Sequence, residues 1–167
     1  TLIIVMSVMN GFRYELVNRI LGINSHLTIY SRAEGIKDYK SIIEDLKNNP
    51  EIKYVNPIVE SQVMISAKGR ANGGLVKGIK IEDLKYKKLI RNNIIYGNID
   101  NLKDKNAIII GISLANNLNL DINDKVKILS PESNNTIIGS IPRIKTYNIV
   151  GIFESGMHEY DSTTIFM

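Results

Sequence analysis

Cysteine is absent from this chain, and histidine occurs only twice. Without a thiol there is no disulfide framework, no thiolate nucleophile and no sulfur ligand for a metal, and the redox compartment stays open. The two imidazoles, His26 and His158, stand far apart, and neither has a second histidine three or four residues away, the spacing that would aim two ligands from one helical face. A surface or strand role is the expectation for both, with no metal site and no cofactor. Internal repeats and low-complexity tracts are also missing. So is the basic segment and cleavage context of a signal peptide.

Charge of one sign is only mildly in excess. The 21 Lys and Arg against 17 Asp and Glu give a net charge of +4 and a pI near 9.2. That suits an anionic surface, but basic residues do not interleave with aromatics as in nucleic-acid-binding modules, so nucleic acid is excluded as a partner. With 44% hydrophobic and 23% charged residues over 167 positions, the chain is ordinary folded material for one domain or two small subdomains.

Two kinds of chemistry are weighed and set aside. Gly69 and Gly74 have the spacing of a phosphate-binding loop, but Leu75 follows where a lysine is needed and Lys77 comes two places late without a hydroxyl after it. A nucleophile elbow is the best enzymatic alternative: Gly111-Ile112-Ser113-Leu114-Ala115 follows an apolar strand, and Glu154 and His158 come next in hydrolase order. Ala115 replaces the final glycine and the parallel strand-helix alternation is missing. Ser113 as a helix N-cap is the simpler account, and no catalytic residue is assigned.

The N-terminal run Thr1–Met9 is apolar on every side except Ser7. From Met9 onward one stripe (Met9, Phe12, Leu16, Ile20) stays apolar, with Gly22 placed as the terminator. This is either a buried core helix or the tail of a transmembrane helix that begins before Thr1; the run itself falls short of the roughly 20 residues that cross a bilayer. His26–Ser31 alternates like a strand. Tyr39, Ile42, Ile43 and Leu46 fall at helical spacing after Asp38, a candidate N-cap. An extended run over 52–66 is limited by Pro57, and Lys68–Gly74 signals a hairpin into Leu75–Ile79. Residues 82–90 read as a short helical or turn segment, and 92–106 as an irregular connection that marks a subdomain boundary.

The most informative stretch is 107–153. Ala107–Ile110 is a buried strand, Leu114, Ala115 and Leu118 share a helical face, Lys125–Leu129 alternates like a half-buried strand, and Tyr147–Phe153 returns to pair with it. Between these strands lies a polar loop of about a dozen residues, longer than the usual hairpin connection. Ile137, Ile138 and Ile141 sit near its tip between Pro131 and Pro142, with no evident core to join. The residues alone leave two readings level: a braced finger for another protein's hydrophobic groove, or a disordered loop with incidental isoleucines.

IIIGISLANNLNLDINDKVKIL resembles the recurring element in extracytoplasmic domains of bacterial ABC-transporter permeases of the macrolide-exporter and lipoprotein-releasing type. SIPRIKTYNIVGIFESGMHEYDSTTIFM, together with VMSVMNGFRYELVNRILGINSHLTIYS, narrows the resemblance to the lipoprotein-releasing (Lol) permease subunit, closer to the LolC type than to LolE. It covers nearly the whole chain. It implies an α+β periplasmic permease domain, anchored in the bacterial inner membrane, with a strand-helix-hairpin subdomain and a second mixed subdomain bearing a long hairpin loop. The divisions implied are 1–22 (the end of a transmembrane helix and its periplasmic extension), 23–91 and 92–167 with the loop at 131–144, the domain being cut short at its C-terminus.

By the same resemblance, Ser133, Thr136, Ile137, Ile138, Gly139, Ile141 and Pro142 form a hook for the periplasmic lipoprotein carrier of the LolA type, and Lys127, Arg143 and Lys145 a basic pad below it. Gly139-x-Ile141-Pro142 is the most specific match, while Ile144 and Lys145 depart from the polar pair the family pattern implies there. The implied partners are that carrier, a sister permease subunit, a cytoplasmic ATPase subunit, lipoprotein cargo and the membrane. The domain itself would catalyse nothing, ATP hydrolysis belonging to the separate subunit. The rivals are a macrolide-exporter-type permease domain without a carrier-binding loop and, more remotely, a serine hydrolase.

Overall fold

Periodicity along the chain becomes α1 (Leu2–Ile23), α2 (Tyr39–Lys47), β1 (Val59–Ala67), β2 (Arg70–Gly78), α3 (Ile81–Tyr86), α4 (Lys88–Asn92), β3 (Ile94–Gly97), a 3-10 turn (Ile99–Lys103), β4 (Ala107–Gly111), α5 (Ile112–Leu118), β5 (Lys125–Thr136), β6 (Gly139–Phe153), α6 (His158–Thr163) and β7 (Thr164–Phe166). This computed structural model describes residues 1–31, 35–136 and 139–167, and for residues 88, 89, 131–136 and 139–141 the backbone alone. The class is α+β. The strands make one sheet in the order β3-β6-β4-β7-β2-β1-β5, and β5 pairs again with β6, so the sheet closes on itself. The subdomain boundary drawn at 91 and 92 runs through this sheet, because β1 and β2 lie between β7 and β5.

β4 is the centre, and each of its five residues is buried. Successive strand side chains point to opposite faces. Ile108 and Ile110 therefore join an inner cluster with Ile65, Val126, Ile128, Ile149 and Ile165, closed by Leu114, Ala115 and Leu118 of α5. Ala107 and Ile109 join an outer cluster with Ile23, Leu84, Ile90, Phe153 and Phe166. Phe153 and Phe166 meet there at 5.4 Å between ring centroids. Complete burial of an isoleucine contributes roughly 1.5–3 kcal/mol, so a strand buried on both faces counts for more than its length suggests.

The β1–β2 turn is two residues long, with Lys68 and Gly69 at φ 49° and 77°. Two left-handed residues match the twist of the flanking strands. The Lys68 Nζ reaches the carbonyl of Asn119 and the carboxylate of Asp124, both at 2.7 Å, which ties this hairpin to the turn before β5. That ion pair, with the Asp121 backbone N–H at 2.9 Å, holds the Asp124 carboxyl below its ordinary pKa.

The N-terminal third behaves differently. α1 buries Ile23 alone, while Leu2, Ile3, Ile4, Val8, Met9 and Phe12 are bare. Among the described residues no helix is long and apolar enough to cross a membrane. α2 has the limits its spacing implied, but it buries no residue, and Asp38 stands at the N-cap without a side-chain capping bond.

Several expectations change. His26–Ser31 forms no strand, since alternation needs a neighbouring strand to pair with. α1 continues past Gly22 to Ile23 and is capped by Asn24. β2 begins at Arg70, inside the glycine-rich segment. The stretch read as irregular, 92–106, holds β3 and the 3-10 turn. Gly111, not Ser113, is the N-cap of α5.

Candidate functional site

The stretch read as a dozen-residue loop is mostly strand. β5 pairs with β1 only through Met64↔Leu129, Ile65↔Ile128 and Ser66↔Lys127. Beyond Leu129 the pairing described is with β6: Ser130↔Arg143, then an irregularity before Ser133↔Pro142, and on through Asn134↔Ile141 and Asn135↔Ser140 to Thr136↔Gly139. The result is a two-stranded ribbon running out from the closed sheet. Each ribbon strand has one neighbour, and a proline whose nitrogen lies on the unpaired edge costs no ladder bond. Pro131 falls in the irregularity and Pro142 opposite Ser133. Prolines and polar residues thus made a paired segment look like a loop.

Of the hook residues, Ser133, Thr136, Gly139, Ile141 and Pro142 lie on the two arms of this ribbon. Ile137 and Ile138, between the arms, lie outside the described residues. The basic pad divides. Directly opposed residues share a face, so Lys145 opposite Ile128 and Arg143 opposite Ser130 lie on the face continuous with the inner cluster, whereas Lys127, opposite Thr146, lies on the other. All three are exposed. Lys145 Nζ stands 5.0 Å from the Tyr147 ring centroid, two residues along the same face.

On the Lys127 face the register also lines up Met64, Leu129 and Ile144 across three strands. Met64 and Ile144 are 52% and 58% exposed, so this apolar row at the ribbon's base is open to contact. Sequence reasoning missed it because the row exists only through long-range pairing. An isoleucine between Arg143 and Lys145 was its one local trace.

The elbow residues come closer together than their sequence suggested. Ser113 Oγ lies 3.3 Å from His158 Nδ1, joining the first turns of α5 and α6. Glu154 is exposed and its backbone N–H donates to the Asn93 carbonyl, and among the described residues no carboxylate is hydrogen-bonded to the His158 ring. The pair therefore lacks the third group that orients a catalytic base. What fastens α6 is Asp161, which is buried and whose Oδ1 accepts from the Ser155 N–H and hydroxyl, both at 2.7 Å. Among the described residues no group of three or more His, Cys, Asp or Glu could hold a metal. An open cavity of about 440 Å³ is lined by Lys85, Arg91, Asn98 and Asp100 among others, and Asp100 there is already paired with Lys85 at 2.5 Å.

Over its whole length, residues 1–167, the chain matches the model of the MacB-like periplasmic core domain. It belongs to that family. This MacB-like periplasmic core domain is 28% identical over 163 residues to the lipoprotein-releasing system transmembrane protein LolC of Neisseria meningitidis serogroup B, covering 97% of this chain and 39% of that protein. To LolC of Buchnera aphidicola subsp. Schizaphis graminum it is 31% identical over 156 residues, 92% of this chain and 38% of that one. The match to LolE of Haemophilus influenzae is weaker, 25% over 137 residues, covering 80% and 33%. The resemblance is thus to the LolC type, and the chain spans about two fifths of the length of these relatives. Among solved structures it is similar to the extracellular domain of the noncanonic ABC-type transporter YknZ from Gram-positive bacteria. There the TM-score is 0.48 and the identity 15%, covering 76% of this chain and 60% of that one.

Proposed function

We propose that this chain is the periplasmic domain of a lipoprotein-releasing ABC permease subunit of the inner membrane, and that it recruits the periplasmic lipoprotein carrier with the β5–β6 ribbon. The observation that carries the reading is the course of β5, which leaves β1 after Leu129 and continues to Thr136 with β6 as its sheet partner. A ribbon held out from a closed sheet can enter a partner's cavity without disturbing the core. Its pairing also lowers the ordering cost on binding. Met64, Leu129 and Ile144 at its base would meet the rim of that cavity, with Lys127 beside them and Arg143 and Lys145 on the opposite face.

The domain performs no chemistry in this reading. ATP is hydrolysed by a separate cytoplasmic subunit, and a sister permease subunit completes the complex that lifts lipoprotein cargo from the membrane. The bare apolar surface of α1 supports its assignment as the end of a transmembrane helix with a periplasmic extension. The test is capture of a LolA-type carrier by the immobilised domain. Ile137→Asp or Ile138→Asp should abolish capture while leaving the thermal midpoint unchanged. Undiminished capture would remove the hook, and no capture by the parent domain would favour a permease without a carrier.

A further inference from the structure

The end of α1 is held in an unusual way. Ile23 is its only buried residue, and one buried side chain can act as a pivot but cannot fix a helix's direction. The polar contacts come from several elements at once. Lys87, between α3 and α4, donates from Nζ to the Ile23 carbonyl at 2.6 Å. Lys77 of β2 donates to Asn24 Oδ1 at 3.3 Å, and Asn24 Nδ2 donates to the Tyr160 hydroxyl of α6 at 2.6 Å. Arg19, one turn earlier, reaches the Gly156 carbonyl at 3.5 Å.

These cations gather where a helix carries unsatisfied carbonyls and the negative end of its dipole, which is the favourable arrangement. Lys77 is only 7% exposed, and Glu60 of β1 pairs with it at 3.1 Å. Burial, and then the neighbouring Lys77, push the Lys87 ammonium below its ordinary pKa, while Glu60 acts the other way. Two partly desolvated lysines are a costly arrangement unless their donors are used, and here both point at the last turn of α1 or its cap.

We propose that Lys77, Lys87, Asn24 and Tyr160 form a latch that sets the angle at which α1 leaves the domain, and that opening it lets the helix pivot about Ile23 while the sheet stays folded. Asn24 is the hub, since it accepts from one element and donates to another. The inner cluster contributes nothing to the latch, so the two can fail separately.

The absence of native cysteine allows a direct test. Spin labels on Val8→Cys and Lys105→Cys, both exposed positions, report the α1-to-domain distance by pulsed electron resonance in mild detergent. The latched chain should give one narrow distribution. Asn24→Ala combined with Lys87→Met should give a roughly twofold wider one, with the circular dichroism and melting midpoint of the sheet retained. Lys87→Arg, which keeps a cationic donor, should keep the narrow distribution. An unchanged width in the double variant overturns the latch, as does a parent distribution already as broad. Should the double variant unfold, Tyr160→Phe removes only the hydroxyl held by Asn24, and broadening or its absence there decides the matter.

Discussion

β4 and the first half of α1 are both short runs of aliphatic residues, and they end in opposite situations. Ile108, Ile109 and Ile110 are wholly inaccessible, whereas Ile3 and Ile4 are 79% and 69% exposed. The side chains have the same chemistry and differ only in their surroundings. β4 has β6 on one edge, β7 on the other, and apolar clusters on both faces. α1 touches the domain through its last turns and leaves the rest of its surface uncovered. Composition thus says that a segment requires cover but not what supplies it.

The sharpest way to break this comparison is to shorten one isoleucine in each region. Ile109→Ala should cost about 2–5 kcal/mol, because transfer energy and a cavity are both lost at a site packed on all sides. Ile4→Ala should stay within about 0.5 kcal/mol, as exposed substitutions do. Urea unfolding of both variants, with mild detergent present, measures the two. Equal losses would mean that α1 is packed after all.

Glycine gives the next contrast. A Cβ on Gly111 would lie 2.2 Å from the Asp161 carbonyl oxygen and 2.6 Å from its Cα, where α6 crosses the end of β4. Gly111→Ala therefore requires backbone to move and should destabilise by about 1–3 kcal/mol. Gly11, within α1, has nothing within 4 Å of such a Cβ. Gly11→Ala should raise helix stability by about 0.5–1 kcal/mol through its lower backbone entropy. Opposite signs in a thermal melt support the comparison, and a neutral Gly111→Ala would show that α6 is free to shift.

Local pattern made some elements legible. The spacing of Tyr39, Ile42, Ile43 and Leu46 located α2, and Leu114, Ala115 and Leu118 proved to be the buried face of α5. The extended run expected over 52–66 becomes strand only from Val59, two residues past Pro57. What remained hidden depends on residues distant in sequence. Alternation in His26–Ser31 shows the capacity to be a strand, and no neighbour takes it up. Pro131 and Pro142 signal a break when read along the chain, yet Pro131 falls in the irregularity of the ribbon's pairing and Pro142 opposite Ser133 within it. The approach of Ser113 to His158 and the row Met64, Leu129, Ile144 are products of topology alone. The segment read as a loop over 130–142 is therefore mostly paired strand.

The smallest effect belongs to a tie on the surface. The Asp124 and Lys68 side chains are 31% and 46% exposed, so solvent screens the pair and little stability rests on it. Its sign is nevertheless fixed. The carboxyl titrates lower in the folded chain than in the unfolded one, chiefly through the Lys68 hydrogen bond and then the Asp121 N–H. Between the two pKa values the unfolded chain binds more protons, so stability falls as the solution is acidified through that window, and the contribution is complete above it. Asp124→Asn keeps an oxygen to accept both hydrogen bonds but has no proton to gain. The gap between parent and variant urea midpoints should be steady above the ordinary carboxylate range, close as the solution is acidified through the lowered pKa of the folded chain, and narrow in high salt. A gap of the same size at every pH would mean that the shape of the turn, and not the charge of Asp124, holds the β1–β2 hairpin against the start of β5.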